Sequence, residues 1–361
     1  MRYIEEYRDK DLIMKLLVQI EKSVRRDYIF MEVCGGHTAA IQRFGIPSML
    51  PSCIRLVSGP GCPVCVTGTD FIDKAIAYSK LEDIIITTFG DMLRVPGSVS
   101  SLEKEKASGS DIRIIFSGLE AIEIAKDNPG KKIIFLGIGF ETTAPGTAVT
   151  IKTALKEQVK NFFLLSAHKV MPPAMEAIVK DGVKLDGFIC PGHVATITGP
   201  GIFNFIPEKY NIGCVISGFE PVDILLSLLM LIRQVNRNSP EMEIQYTRAV
   251  KPNGNILAMK QISDVFEPAD ALWRGFGIIP SSGLALKKEF GNFDIAEKIP
   301  LKIIILKDNE LCICGKILRG LNTPGDCSLF GERCIPENPV GACMVSSEGT
   351  CNSWYKFRNA V

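Results

Sequence analysis

The chain has 361 residues, 46% of them hydrophobic, with 41 basic against 40 acidic side chains. That length exceeds the roughly 250 to 300 residues that one hydrophobic core usually serves, so two or three domains are expected. A net charge of +1 gives no summed field to draw nucleic acid or an anionic membrane, which leaves small molecules and proteins as the expected partners.

The N-terminus, MRYIEEYRDK, lacks the apolar core of a signal peptide, and the longest apolar run, Ile224 to Ile232 with Ser227 inside it, falls short of the about 20 residues that cross a bilayer. A cytoplasmic protein is expected, in which twelve cysteines favour metal or redox chemistry over a static disulfide framework. Residues 1–25 read as an N-terminal helix packing on the body, with Leu12, Leu16, Leu17 and Ile20 at helical spacing. Short apolar runs then alternate with helical segments. Strands are predicted at Tyr28–Val33, Ile54–Val57, Ile84–Thr88, Ile112–Phe116, Ile133–Leu136, Phe162–Leu165, Gly187–Ile189 and Val215–Ile216. Several are β-branched and apolar on both faces, as parallel strands covered by helices are. The fold class read from this pattern is α/β, with two parallel-sheet halves facing a central cleft and a cysteine-rich C-terminal part. The first half is placed at 26–130, the second at 131–240, and a connecting segment with the C-terminal domain at 241–361.

Nearly every predicted strand runs into a small polar or glycine-bearing turn, and in open parallel sheets ligands bind outside the carboxyl ends of the strands. Cys34 follows the first strand and precedes Gly35, Gly36 and His37; at a helix N-terminus its thiol pKa is expected to fall from about 8.5 toward 3.5–7.5. That describes a reactive thiolate or soft metal ligand, with His37 as base, donor or supporting group; a buried cysteine beside a satisfied histidine is the plainer alternative. Cys62 and Cys65 form C-P-V-C after the second strand, a spacing that suits a dithiol/disulfide switch, or half of a zinc site. Cys53, Cys190 and Cys214 lie in or beside apolar runs and read as core cysteines. Glu141, Thr142 and Thr143 precede Pro145 at a predicted helix start, where they could hold an anion, brace a neighbouring loop or simply cap the helix. His168 and His193 end two further strands.

Six cysteines close the chain in the pattern C-x-C-x12-C-x6-C-x8-C-x7-C: Cys312, Cys314, Cys327, Cys334, Cys343 and Cys351. No histidine follows His193, so a metal held there has all-sulfur ligation, which suits an iron-sulfur cluster or structural zinc. The close paired knuckles of zinc ribbons are absent, which favours the cluster. Glu348, between Cys343 and Cys351, reads as a proton donor, a partner to the cluster or a solvated loop carboxylate.

The motifs MEVCGGHT from Met31, SGPGCPVC from Ser58, GFETTAPGTA from Gly139, PGHVATITG from Pro191 and DCSLFGERCIPENPVGACMVSSEGTC from Asp326 together resemble the HypD family of nickel-iron hydrogenase maturation factors, in order and over nearly the whole chain. The resemblance implies a scaffold that, with the small chaperone HypC, assembles the iron centre bearing two cyanides and one carbon monoxide, with cyanide delivered by HypE from a thiocyanate on its C-terminal cysteine. It implies that Cys34 binds that iron together with a HypC cysteine, that His37 lies beside it, and that Cys62 and Cys65 are the adjacent redox pair. It also implies a 4Fe-4S cluster on Cys312, Cys327, Cys334 and Cys351, leaving Cys314 and Cys343 as a second dithiol that relays electrons, a layout similar to ferredoxin-thioredoxin reductase. Two rival readings remain open at this point: a passive scaffold with a structural cluster, and a stand-alone thiol oxidoreductase.

Overall fold

In the computed structural model, residues 5–303 and 309–357 are described; residues 1–4, 304–308 and 358–361 of the terminal segments read above lie outside them. Eleven strands form among the described residues: β1 (Tyr28–Glu32), β2 (Ile54–Ser58), β3 (Ile84–Thr88), β4 (Ile112–Ile114), β5 (Lys132–Gly139), β6 (Phe162–His168), β7 (Gly187–Pro191), β8 (Gly213–Ser217), β9 (Met242–Ile244), β10 (Phe266–Trp273) and β11 (Gly277–Leu286). All eight predicted strands are present; most run one to three residues further into their turns, whereas β1 stops one residue short of Val33 and β4 two short of Phe116.

The strands build two parallel sheets, in the orders β2-β1-β7-β8-β9 and β4-β3-β5-β6, and one antiparallel hairpin, β10-β11. The sheets therefore do not divide where the sequence reading divides the chain. The second sheet is made entirely by residues between β2 and β7, whereas β1 pairs with both β2 and β7, Phe30 lying opposite Leu56 on one side and Gly187 on the other. A boundary at residue 130 would cut the second sheet between β4 and β5, which lie on either side of β3.

Both faces of each sheet are covered, which explains the near-continuous apolar strands. On one face of the first sheet, Tyr28, Phe30, Ile189 and Val215 meet Leu225, Leu228 and Ile232 of the helix Pro221–Arg237 and Leu16 and Ile20 of the helix Lys10–Ser23. The latter helix starts at Asp9, whose carboxylate accepts the Leu12 N–H at 2.8 Å and fills one orphan donor of the first turn. On the opposite face Met31, Val57, Phe188 and Ile216 share a core with Trp273 and with Cys314, Cys334, Cys343 and Cys351. The cysteine segment is thus a cover for the first sheet. Its regular structure is sparse: short helices at Cys314–Leu318 and Thr350–Phe357, with 3-10 turns at Pro324–Asp326 and Ala342–Met344. No helix among the described residues is long and apolar enough to cross a membrane.

Candidate metal and thiol site

Cys34 stands at the carboxyl end of β1, in extended conformation at the N-cap of the helix Gly35–Arg43. Next to it in the sheet, β2 ends in the turn that carries Cys62 and Cys65, and the two turns lock together through backbone: Gly35 N–H donates to Gly61 O at 3.1 Å and Gly59 N–H to Glu32 O at 2.7 Å. Cys62 caps the short helix Pro63–Val66, its sulfur accepting the Cys65 N–H at 3.2 Å. The pair is joined as a disulfide with Cα atoms 5.2 Å apart, a separation within the ordinary range for such bonds. The helix Pro63–Val66 packs against β5 of the second sheet and against the turn Ala342–Met344, so the dithiol lies where both sheets and the cysteine segment meet.

Glu348 reaches this place too. Read from sequence as a proton donor, a partner to the cluster or a solvated loop carboxylate, it lies over Gly35: a Cβ added there would stand 2.6 Å from Glu348 Cβ and 2.9 Å from its Oε2. Partial desolvation against the CGGH turn raises its carboxyl pKa, and the nearby charge of Asp91 adds to the effect, while much of the residue stays exposed to solvent. Cys34 also departs from expectation. Burial pushes its thiol up to about 12, with the charge of Glu348 next in effect, and these outweigh the pull of the Gly36 and His37 amides. The helix-end argument fails because a thiolate enclosed without a cation loses its hydration and faces carboxylates. Behind the thiol, Glu32 accepts the Cys34 N–H at 3.0 Å and the Thr38 hydroxyl; its own pKa rises to about 8 through burial.

His37 is fully buried. Its Nε2 lies 3.0 Å from Gly218 O and 3.2 Å from Ser217 O, at the end of β8. Its ring stacks on Phe219 at 4.5 Å, and His193 stacks on Phe219 at 3.9 Å. The CGGH and PGH turns are thereby joined through a phenylalanine that sequence reading passed over, although it lies in a glycine-bearing turn after a buried strand. His168 does not join them: it bonds Thr147 Oγ1 at 2.9 Å within the second sheet and meets Phe266 edge-on. Of the GFETT turn, Thr143 Oγ1 donates to Ile138 O at 3.1 Å and is itself the N-cap position, rather than Thr142. Glu141 Oε1 accepts the Met171 N–H at 2.9 Å, supplying the helix Met171–Lys180 with the acceptor that its own N-cap Val170 lacks.

Glu141 carries a pH prediction. Burial raises its carboxyl to about 7, above its value in the unfolded chain, so the folded state holds the proton more tightly. Its contribution to stability is full below about pH 4.5 and is lost as the pH rises to about 7, of order 3 kcal/mol in all. Glu141→Gln should flatten the stability profile between pH 4.5 and 8 by up to that amount, read as the urea midpoint of both proteins across the range. Parallel profiles would show that Glu141 does not titrate there.

The C-terminal thiols gather beneath the first sheet. Cys312 Sγ lies 3.2 Å from Cys314 Sγ, and Cys343 hydrogen-bonds both Cys314 and Cys351. Contacts with Cys314 and Cys343 draw the Cys351 thiol down, while those with Cys314 and Cys351 push Cys343 well up. Cys334 accepts the Val340 N–H at 3.4 Å, and Cys327 packs at the margin of the same core. Gly341 leaves room beside the thiols: a Cβ there would sit 2.5 Å from Cys312 Sγ and 2.6 Å from Cys314 Sγ. A mutually interacting, largely buried all-sulfur donor set with a side-chain-free wall fits a cluster of iron and sulfide. Among the described residues no three Cys, His, Asp or Glu side chains are arranged around a single ion.

Fold and site together define a class: a two-sheet α/β protein in which strand-end turns bring a lone buried thiol, a dithiol and a cysteine-rich cover to one place. The chain matches the HypD family model, described as the hydrogenase formation hypA family, over residues 11–358. It is 46% identical over 368 aligned positions to hydrogenase maturation factor HypD2 of Bradyrhizobium diazoefficiens (99% of this chain, 97% of the relative) and 44% identical over 367 to HypD of Azotobacter vinelandii (99% and 97%). It is 38% identical over 367 to HypD of Escherichia coli strain K12 (99% and 98%). The chain belongs to the HypD family.

Proposed function

We propose that this chain is a hydrogenase maturation factor on which an iron ion is held by Cys34 while its cyanide and carbon monoxide ligands are installed, with HypC contributing a second thiolate and HypE delivering cyanide. The observation that carries the reading is the convergence on Cys34 of the Cys62–Cys65 turn and of Glu348. Iron is the cargo. A thiol held at about 12 without metal gives up its proton when a soft-ligand cation arrives, because the cation replaces the missing counter-charge. Glu348, lying over Gly35, is placed to take that proton.

Release of cyanide from a thiocyanate needs two electrons, which the reduced Cys62 and Cys65 can supply. Two thiols and one thiocyanate become one disulfide, one thiol, cyanide and a proton. Cys314 and Cys343 then restore the pair by thiol–disulfide exchange, a route supported by the packing of the turn Ala342–Met344 on the helix Pro63–Val66. Cys312, Cys327, Cys334 and Cys351 would hold a 4Fe-4S cluster, which when bound supplies single electrons. The buried setting of Cys34 keeps water from iron carrying strong-field ligands.

Mössbauer and infrared spectra of anaerobically purified protein, with and without HypC, test this reading. Cluster iron is expected in both preparations, and cyanide and carbon monoxide bands on a separate iron. A preparation that matures hydrogenase while lacking either the cluster signal or those bands would overturn it.

A further inference from the structure

Two carbonyl oxygens within hydrogen-bond reach of one ring nitrogen fix more than the position of His37. Carbonyls only accept, so Nε2 must carry the proton. Nδ1 is then a bare lone pair, and in the fully buried ring it has no hydrogen-bond partner. Left to itself a buried acceptor of this kind is costly. The surrounding structure must therefore hold the Ser217 and Gly218 carbonyls in place against rotation of the turn.

A buried polar network does this. Gly218 N–H donates to Gln245 Oε1 at 3.0 Å, and Gln245 Nε2 donates to Asp223 Oδ1 at 2.8 Å. Asp223, fully buried in the first turn of the helix Pro221–Arg237, accepts the Glu220 N–H at 3.1 Å, which pins the far end of the same turn. Arg248 closes the network by a two-pronged bond to Asp223, at 2.7 and 2.6 Å. Its guanidinium lies 3.7 Å from the Tyr7 ring centroid and 4.6 Å from that of Tyr246. Each member is paired, and none belongs to the five motifs that mark the family.

We infer that Asp223, Gln245 and Arg248 are positioning residues that hold the Ser217–Gly218 carbonyls and thereby lock His37 of the CGGH turn in its Nε2–H tautomer, leaving Nδ1 as a bare lone pair. This deepens the proposed function by fixing the protonation state of the histidine in that turn, and it rests on that reading only for the use made of the lone pair.

The test uses full-length, metal-free protein labelled with nitrogen-15 histidine, whose three histidines can be resolved individually. Two-bond nitrogen–proton correlations should show His37 as the Nε2–H tautomer, with an Nε2 proton that exchanges slowly with water. In Gln245→Ala that proton should exchange at least about tenfold faster, as loss of one buried hydrogen bond implies, and the single tautomer should give way to a mixture. His168, which lies in the other sheet and bonds Thr147 of the helix Ala144–Lys156, reports an intact fold by keeping its signals. Should Gln245→Ala fail to fold, Arg248→Lys loosens the network from its outer end and should give a smaller change in the same direction. An Nδ1–H tautomer in the parent protein, or unchanged exchange in a folded variant, overturns the inference. Iron loading is measured separately: a parent protein with locked tautomer that binds no iron at Cys34 refutes the iron reading and leaves the positioning role standing.

Discussion

Cys34→Ala is expected to abolish the infrared bands of cyanide- and carbon monoxide-bearing iron altogether while leaving the visible absorbance of the cluster. Alanine offers no ligand, and the neighbours Gly35, Gly36 and Gly61 offer only backbone. Cys62 and Cys65, joined as a disulfide in this structure, serve as the electron-donating pair in the proposed cycle, and Glu348 and Glu32 are hard oxygen donors ill matched to iron with strong-field ligands. The lost sulfur leaves a cavity smaller than one methylene pair, which costs about 1 kcal/mol, so the fold and the C-terminal thiols should persist. Bands that survive in Cys34→Ala would place the cargo iron elsewhere.

Gly61→Ala should be nearly as damaging without touching any thiol. A Cβ on Gly61 would fall 2.1 Å from Cys34 N, 2.3 Å from Cys34 Cα and 2.4 Å from Val33 C. These are backbone atoms of a buried strand end, so no rotamer change relieves the overlap and one turn must withdraw from the other. Overpacking of this kind costs about 3 kcal/mol or more, and a shift of about 1 Å between reacting groups can cost about 100-fold in rate. Maturation activity should fall by that order and the unfolding midpoint by several degrees, whereas Gly130→Ala, where an added Cβ meets nothing within 4 Å, should match the parent protein. Equal behaviour of the two variants would mean that the turns do not meet as described.

The strands were legible because burial on both faces writes itself as unbroken apolar runs, and the strand-end turns of the first sheet were legible as motifs. Strand partners were not. Parallel pairing leaves no local mark, so nothing near β1 announces that Phe30 will lie opposite Gly187. The hairpin β10–β11 was blurred by its shift of register between Ala269 and Ala271, which breaks the alternation that betrays a strand. For Glu348 the sequence leaves a proton donor, a cluster partner and a solvated carboxylate equally open, because only the folded cover brings it over Gly35. Asp223 did leave a trace: an acid directly before the long apolar run Ile224 to Ile232 demands a cation, and Arg248 is the one it finds.

The interleaved sheets also govern the order in which the site comes into being. As the chain leaves the ribosome, β1 and β2 emerge first, yet β1 lies inside its sheet and awaits β7, made only after the whole second sheet. Domains generally fold as they emerge, and long-range parallel pairing is slow. The nascent protein therefore passes through a stage in which one sheet is complete while Cys34, Cys62 and Cys65 remain uncovered. Their shelter arrives with the C-terminal cysteines themselves, so that the reactive turns are enclosed only once that cysteine segment has been made.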